Sequence, residues 1–334
     1  MYLYMDIALN FSCEACAKCC RNDWQVTVDE KSYRRNAELF LNIGKQAEFQ
    51  LAFVPIQGQK ELGEYAYIAK KTDGECWFLG NDNLCKLQKQ AGHDHLDAVC
   101  QTFPRCPMNT ARGIELTLSF SCPAVLKRVN RCEPLTVIRS EYPPMSFIPD
   151  AYIANVFPNQ QPISSPLRYY FELEQHFIDI LQCRGMIIFE RITLIRKTIS
   201  AITELTSDND FNGNLTKLLY HNYDLLDAAA LPAQLEYYTA DILLEHFLVN
   251  LVFKKFFYVY GLQRGLLLLE HIWYYIDNVR SQATNILTDI ELTRSAILAV
   301  EFQYGHNRHA LLEQVKLITE TEGSAVIPTG ITAD

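Results

Sequence analysis

The chain lacks most of the marks by which a sequence declares a common function. No apolar run reaches the roughly 18 residues that a membrane-spanning helix needs, and the start, MYLYMDIALNFSCEACAKCC, has neither a basic leader nor a sustained apolar stretch ahead of its first cysteine. Neither secretion nor membrane insertion is expected. There is no G-x-x-x-x-G-K-[ST] and no G-x-G-x-x-G after a strand, so a glycine loop that cradles phosphates is missing. No Ser/His/Asp arrangement can be identified. Positive charge is in deficit, with 30 Lys and Arg against 39 Asp and Glu, a net charge of −9 and a pI near 5.4, which argues against a broad surface for nucleic acid. No period of about 20 to 50 residues repeats, which excludes a solenoid.

What is present is a globular composition, 49% apolar and 21% charged over 334 residues, with room for two ordinary domains. Eleven cysteines are many. Ten of them lie between Cys13 and Cys132, and only Cys183 falls beyond. With no leader and an odd count, this clustering reads as a cytoplasmic protein with metal-bound thiolates, not as a secreted disulfide framework.

The expected fold class is α+β: a small cysteine-rich metal-binding module over residues 1–132, a Pro-rich connecting segment over 133–166, and a mainly α-helical domain over 167–334. In the first part, Trp24 to Val28 alternates like a strand, and Asp29 can cap a helix through KSYRRNAELFL. Residues 65 to 79 read as a hairpin, YAYIAK, TDGE, CWFL, so that Cys76 and Cys85 flank the next turn, GNDN. Gly92 ends a helical turn, and IELTLSF is a strand that delivers Cys122. Seven of the thirteen prolines fall in 133–166, which largely excludes helix there. Helical periodicity then dominates, including a long run EYYTADILLEHFLVNLVFKKFFYVY, with breaks at Gly261 and Gly305 and a frayed tail from residue 321.

Chemistry is carried by the thiols. Cys13, Cys16 and Cys19, at i, i+3 and i+6, can close round one metal centre, while Cys20 adjoins Cys19 and points another way, leaving one of the two for a second role. With Cys76, Cys85, Cys100 and Cys122 they form the candidate ligand set. Cys106, Cys132 and Cys183 read instead as buried small apolar residues. Thiolates suit iron–sulfur clusters or zinc, and spacing does not separate the two. Arg105, in CQTFPR, is the candidate cofactor-binding residue, able to clamp a carboxylate or phosphate through its planar fork; the alternative is pairing with an acidic neighbour. His93 and His95 fit a solvated turn as well as a ligand set. Lys254 and Lys255 mark either a surface for an acidic ligand or a solvated face.

The run C-x2-C-x2-C-C, the segment ECWFLGNDNLC, CQTFPR and LSFSCP together resemble the cysteine-cluster family, most of all its flagellin lysine-N-methylases. HFLVNLVFKKFF extends a looser likeness into the helical part. The family usually continues LSFSCP with Glu-Ala, where this chain has Ala124-Val125. The resemblance implies an iron–sulfur cluster, 4Fe-4S, and S-adenosylmethionine-dependent methylation of lysines on flagellin or a similar protein. The alternative is a non-catalytic zinc- or iron-binding protein serving structure, a partner or electron transfer. The C-x3-C-x2-C of radical enzymes is absent, because residue 23 is Asp. Polar methyl transfer needs a neutral amine, and with lysine's unperturbed pKa of about 10.4 the site must remove or desolvate the ammonium proton.

Overall fold

The computed structural model describes residues 1–58, 64–143, 152–205, 210–229 and 238–305, together with residues 313 and 316. The tail from residue 321 lies outside them. The strands are β1 (Tyr2–Met5), β2 (Thr27–Val28), β3 (Phe53–Pro55), β4 (Ala66–Ile68), β5 (Arg105–Thr110), β6 (Gly113–Leu118), β7 (Val137–Ser140) and β8 (Ala154–Val156). Among the first helices are α1 (Lys18–Arg21), α2 (Glu30–Asn42), α3 (Gln46–Ala52), α4 (Lys86–Ala91), α5 (Ala98–Thr102) and α6 (Pro123–Arg128). The chain is then mainly helical: α7 (Tyr170–Gln182), α8 (Ile188–Leu205), α9 (Phe211–Ala229), α10 (Ala240–Phe253), α11 (Phe256–Tyr260), α12 (Leu262–Arg280) and α13 (Ile286–Tyr304). The fold is therefore mixed α+β, as expected.

A five-stranded sheet runs in the order β7-β1-β6-β5-β8. β5 and β6 form a hairpin, with Thr110 opposite Gly113, and β1 lies parallel to β6 with Tyr2 opposite Ile114. Gly113 is required there: its φ is +120°, and a Cβ would stand 2.2 Å from the Met1 carbonyl oxygen. The Pro-rich stretch does more than connect. It supplies both edge strands, β7 beside β1 and β8 beside β5, the positions where proline-interrupted chain is tolerated.

The larger apolar core joins this sheet and α6 to the helices, from Tyr4 and Met5 through Leu116, Phe120 and Val125 to Phe247, Leu269 and Tyr304. α10 runs through its middle, buried at every residue from Ile242 to Phe253, as a helix apolar on all sides must be. Asn250 pins it to the sheet, donating to the Leu118 carbonyl at 3.0 Å and meeting Thr117 Oγ1 at 2.5 Å. A smaller core gathers Val28, Phe40, Phe49, Phe53, Ile68, Phe78, Leu87 and Leu96 round the sheet β2-β4-β3.

The hairpin expected over 65–79 is only half there. β4 pairs with β2 and β3, and Cys76 to Leu79 form a turn (Leu79 N–H to Cys76 O, 3.0 Å) with single bridges Lys70–Cys76 and Leu79–Cys85. The long helix expected through residue 260 breaks at Lys255, whose φ is +69°. Other boundaries fall where the residues require them. Asp29 accepts from Ser32 N–H at 2.7 Å to cap α2, and Gly92 (φ +89°) and Gly261 (φ +81°) end α4 and α11.

Candidate metal centre

All eleven cysteines carry free thiols. Cys13 and Cys16 are exposed on the irregular stretch before α1, and Cys19 and Cys20 lie on α1 with their sulfurs 3.9 Å apart. Cys76 and Cys85 sit at the two ends of the turn that follows β4, Cys100 in α5, and Cys122 at the N-cap of α6.

The structure sorts these thiols by neighbour. Cys20 shares a hydrogen bond with the Cys19 thiol, which with burial pushes it up to about 12, and its carbonyl accepts from the Cys76 N–H at 2.8 Å. The neighbouring Cys20 and burial raise Cys76 as well. Burial raises Cys85 and Cys100, and Cys100 also feels Cys76, Cys20 and Cys85. Cys122, raised by burial against two backbone N–H groups of α6, has Cys16 and Cys13 as its thiol neighbours. Cys106 is buried at the start of β5, its thiol 3.7 Å from the Pro104 carbonyl and pushed up to about 11 by burial. Cys183 donates to the Leu226 carbonyl at 3.8 Å, remote from the others in the helical part.

Arg105 stands beside Cys13. Its Nη2 donates to the Phe11 carbonyl at 3.0 Å and its guanidinium lies 5.6 Å from the Phe11 ring, while Nε is buried with no hydrogen-bond partner among the described residues. Burial lowers its pKa and the Cys13 thiolate opposes that. No carboxylate pairs with it among the described residues. Lys127, paired with Glu14 at 2.5 Å, adds a second cation near Cys16.

Two ties, neither legible from local residue patterns, hold the thiol segments against the end of α13. Trp24 donates from Nε1 to the Phe302 carbonyl at 3.3 Å and packs edge-on against Phe302 and Phe103, with Lys18 5.5 Å over the Phe302 ring. Glu301, one residue earlier, accepts from Ser119 Oγ at 2.6 Å, Ser121 N–H at 3.3 Å and Lys254 Nζ at 3.0 Å, fixing the turn that delivers Cys122.

Lys254 and Lys255 are not a surface. Lys254 is bonded inside by Glu301, and Lys255 is 0% exposed, its Nζ 2.6 Å from Glu115 and 2.5 Å from Glu174. Arg112 bonds the same two carboxylates at 2.9 and 2.6 Å. Two lysines interrupting a helix that is apolar on all sides are the signal for this, since neither can reach water. Ala124 and Val125 are both buried in the larger core, so their side of α6 brings packing and no carboxylate. His95 keeps its backbone carbonyl on Asn36 at 3.1 Å, and neither it nor His93 joins the thiols.

Among the described residues, no three of His, Cys, Asp and Glu are already gathered at ligating distance. Cys13, Cys16 and Cys122 offer soft sulfur donors, the ligand type that iron–sulfur clusters and zinc both take.

No known family profile matches the chain, and no solved structure does. Curated proteins do match. The chain is 28% identical over 123 residues to the flagellar biosynthetic protein FliU of Salmonella muenchen, covering 36% of this chain and 71% of that protein. It is also 28% identical to the lysine-N-methylases of Salmonella choleraesuis, over 126 residues, and Salmonella typhimurium, over 122 residues. These two matches cover 36% of this chain and 30% of each methylase. The likeness is distant and spans less than a third of the methylases' length. No helix among the described residues is long and apolar enough to cross a membrane.

Proposed function

We propose that the chain is an iron–sulfur, S-adenosylmethionine-dependent lysine N-methylase of the cysteine-cluster kind, acting in the cytoplasm on flagellin or a similar lysine-bearing protein. The observation that carries this reading is the grouping of Cys13, Cys16 and Cys122 beside Arg105, whose buried Nε has no partner among the described residues. Likeness to lysine-N-methylases and to a flagellar biosynthetic protein supports the reaction and the substrate class. The cluster, 4Fe-4S, would supply an iron able to take a ligand from outside the protein. Arg105 is suited to hold the carboxylate of S-adenosylmethionine, because a guanidinium fork matches a carboxylate through two parallel N–H bonds. The reaction removes one proton from the substrate lysine, forms its N–CH3 bond and breaks the S–CH3 bond of the sulfonium, releasing S-adenosylhomocysteine.

The test is methyl transfer from labelled S-adenosylmethionine to purified flagellin by protein prepared without oxygen, read as methyl-lysine by mass spectrometry. Transfer that disappears in Cys13→Ser supports the proposal. No methyl-lysine above the protein-free control, with iron and sulfide present on the protein, overturns it. A non-catalytic zinc- or iron-binding protein is the second reading, favoured by the packing of the partly buried Cys76, Cys85 and Cys100 against the smaller core.

A further inference from the structure

The five-stranded sheet ends differently on its two sides. β8 closes one edge with Ala154 and Val156 buried, whereas β7 forms the other with Val137 and Arg139 exposed. β7 pairs antiparallel with β1, Tyr2 standing opposite Ser140 and Met5 opposite Val137. The Asp6 N–H donates to the Thr136 carbonyl at 2.9 Å, and that bond fixes the alternation of the whole strand. Thr136, Ile138 and Ser140 turn their backbone groups toward β1, and Val137, Arg139 and Glu141 turn theirs outward. The outward groups make no hydrogen bond to any described residue. Past the strand the chain stays tied to it, since the Tyr142 N–H donates to Ser140 Oγ at 3.0 Å.

Side chains sort with the same period. Ile138 packs against the larger core, while Val137, Arg139 and Glu141 are exposed, and Tyr142, in phase with Ile138, is 78% exposed. Neither Arg139 nor Glu141 has an ion-pair partner among the described residues. An open edge of this kind is a template for another strand, and its charges say which strand fits. Let a second copy of the chain lie antiparallel to β7 with a two-fold axis through Ser140. Outward backbone groups then meet outward backbone groups, Arg139 stands opposite Glu141 of the other copy, and Ile138 stands opposite its Tyr142. Neighbouring registers lose this match. An axis through Arg139 sets that residue against itself, like charge on like, and an axis through Ile138 sets it against Val137.

We propose that the β7 edge is where two copies of this chain associate, their sheets joined into one across the two-fold axis at Ser140. Arg139 and Glu141 exchange backbone bonds as well as charge across the join. Tyr142 of each copy covers Ile138 of the other, which closes the open margin of the larger core. The strand is short and the area small, so the association is weak, in the micromolar range.

The experiment uses the full chain, kept reduced so that no disulfide between copies imitates the interface. Sedimentation from about 1 to about 200 µM should show the mass rising from 38.4 kDa toward twice that value. Hydrogen exchange of peptides spanning 137–142 should slow over the same range. Glu141→Arg and Arg139→Glu each put like charges across the join at exposed positions, and each should weaken association by about tenfold or more. An equimolar mixture of the two variants restores opposite charges at every pair and should regain the wild-type mass. A single-chain mass throughout the range overturns the proposal, as does association that neither variant weakens or a mixture that stays apart. Growth into larger, open assemblies overturns it too, because a two-fold join closes at two copies. No methyl transfer enters the readout, so the fate of the methylase reading leaves this result untouched.

Discussion

Lys255→Met tests a charge with no solvent exposure. Lys255 and Arg112 together balance Glu115 and Glu174, so four charges sum to zero where β6 and α7 meet the break between α10 and α11. Burial works against ionisation of Glu115, but Lys255 first and Arg112 next outweigh it and hold its carboxyl below the usual range. Burial pushes Glu174 the other way, above it. Methionine keeps the length of the chain and inherits the same φ of +69°, so backbone strain cancels in the comparison. What changes is charge: two buried carboxylates are left with one guanidinium. Removing one partner of a buried ion pair costs about 3–5 kcal/mol, far above the ~0–1 kcal/mol of an exposed pair. Adding Glu174→Gln restores a neutral cluster and should recover at least about 1 kcal/mol of the loss. Urea unfolding followed in parallel by circular dichroism and tryptophan fluorescence gives both values where the probes coincide. A loss below about 1 kcal/mol in Lys255→Met, or a double variant whose cost is the sum of the singles, would refute the reasoning.

Burial holds His176 down to about 4 from 6.5, so its favourable contribution is complete above pH 6.5 and lost as pH falls toward 4. Asp97 is pushed up to about 6 from 3.8, chiefly by burial, so its carboxylate disfavours the fold above pH 6 and protonation relieves this over nearly the same window. Each shift is worth about 3 kcal/mol and the two oppose. Asp97→Asn should therefore steepen the acid loss of stability and His176→Gln flatten it; profiles parallel to wild type would contradict both assignments. Arg105→Lys should retain its metal yet bind S-adenosylmethionine about tenfold more weakly, a difference of about 1.4 kcal/mol, as calorimetry would read. Unchanged affinity removes Arg105 from the cofactor site. Cys183→Ser, altering a thiol bonded only to the Leu226 carbonyl, should leave metal content at the wild-type value, and elemental analysis showing a loss would contradict its placement.

Where local chemistry decides a boundary, the sequence was readable. The carboxylate of Asp29 had to cap α2, and α12 runs from Leu262 to Arg280 between a glycine and a run of turn-forming residues. Where long-range pairing decides, it was not. Residues 76 to 79 look like a strand, but Phe53–Pro55 takes the place beside β4 and leaves Cys76 to turn. The prolines of 133–166 conceal two edge strands because edges tolerate them. Lys254 and Lys255 suggest surface until their carboxylates, 47 to 140 residues away along the chain, are brought in by the fold. The thiols were legible as a cluster along the chain but not in how the fold joins their segments, since the Cys76 N–H meets the Cys20 carbonyl across 56 residues.

The central claim is that these thiolates carry an iron–sulfur centre. Its most direct measurement is the iron, zinc and acid-labile sulfide content of the full chain, expressed with ample iron and purified without oxygen. Iron with matching sulfide, lost in Cys13→Ser, is the predicted result. Zinc without sulfide would contradict the claim.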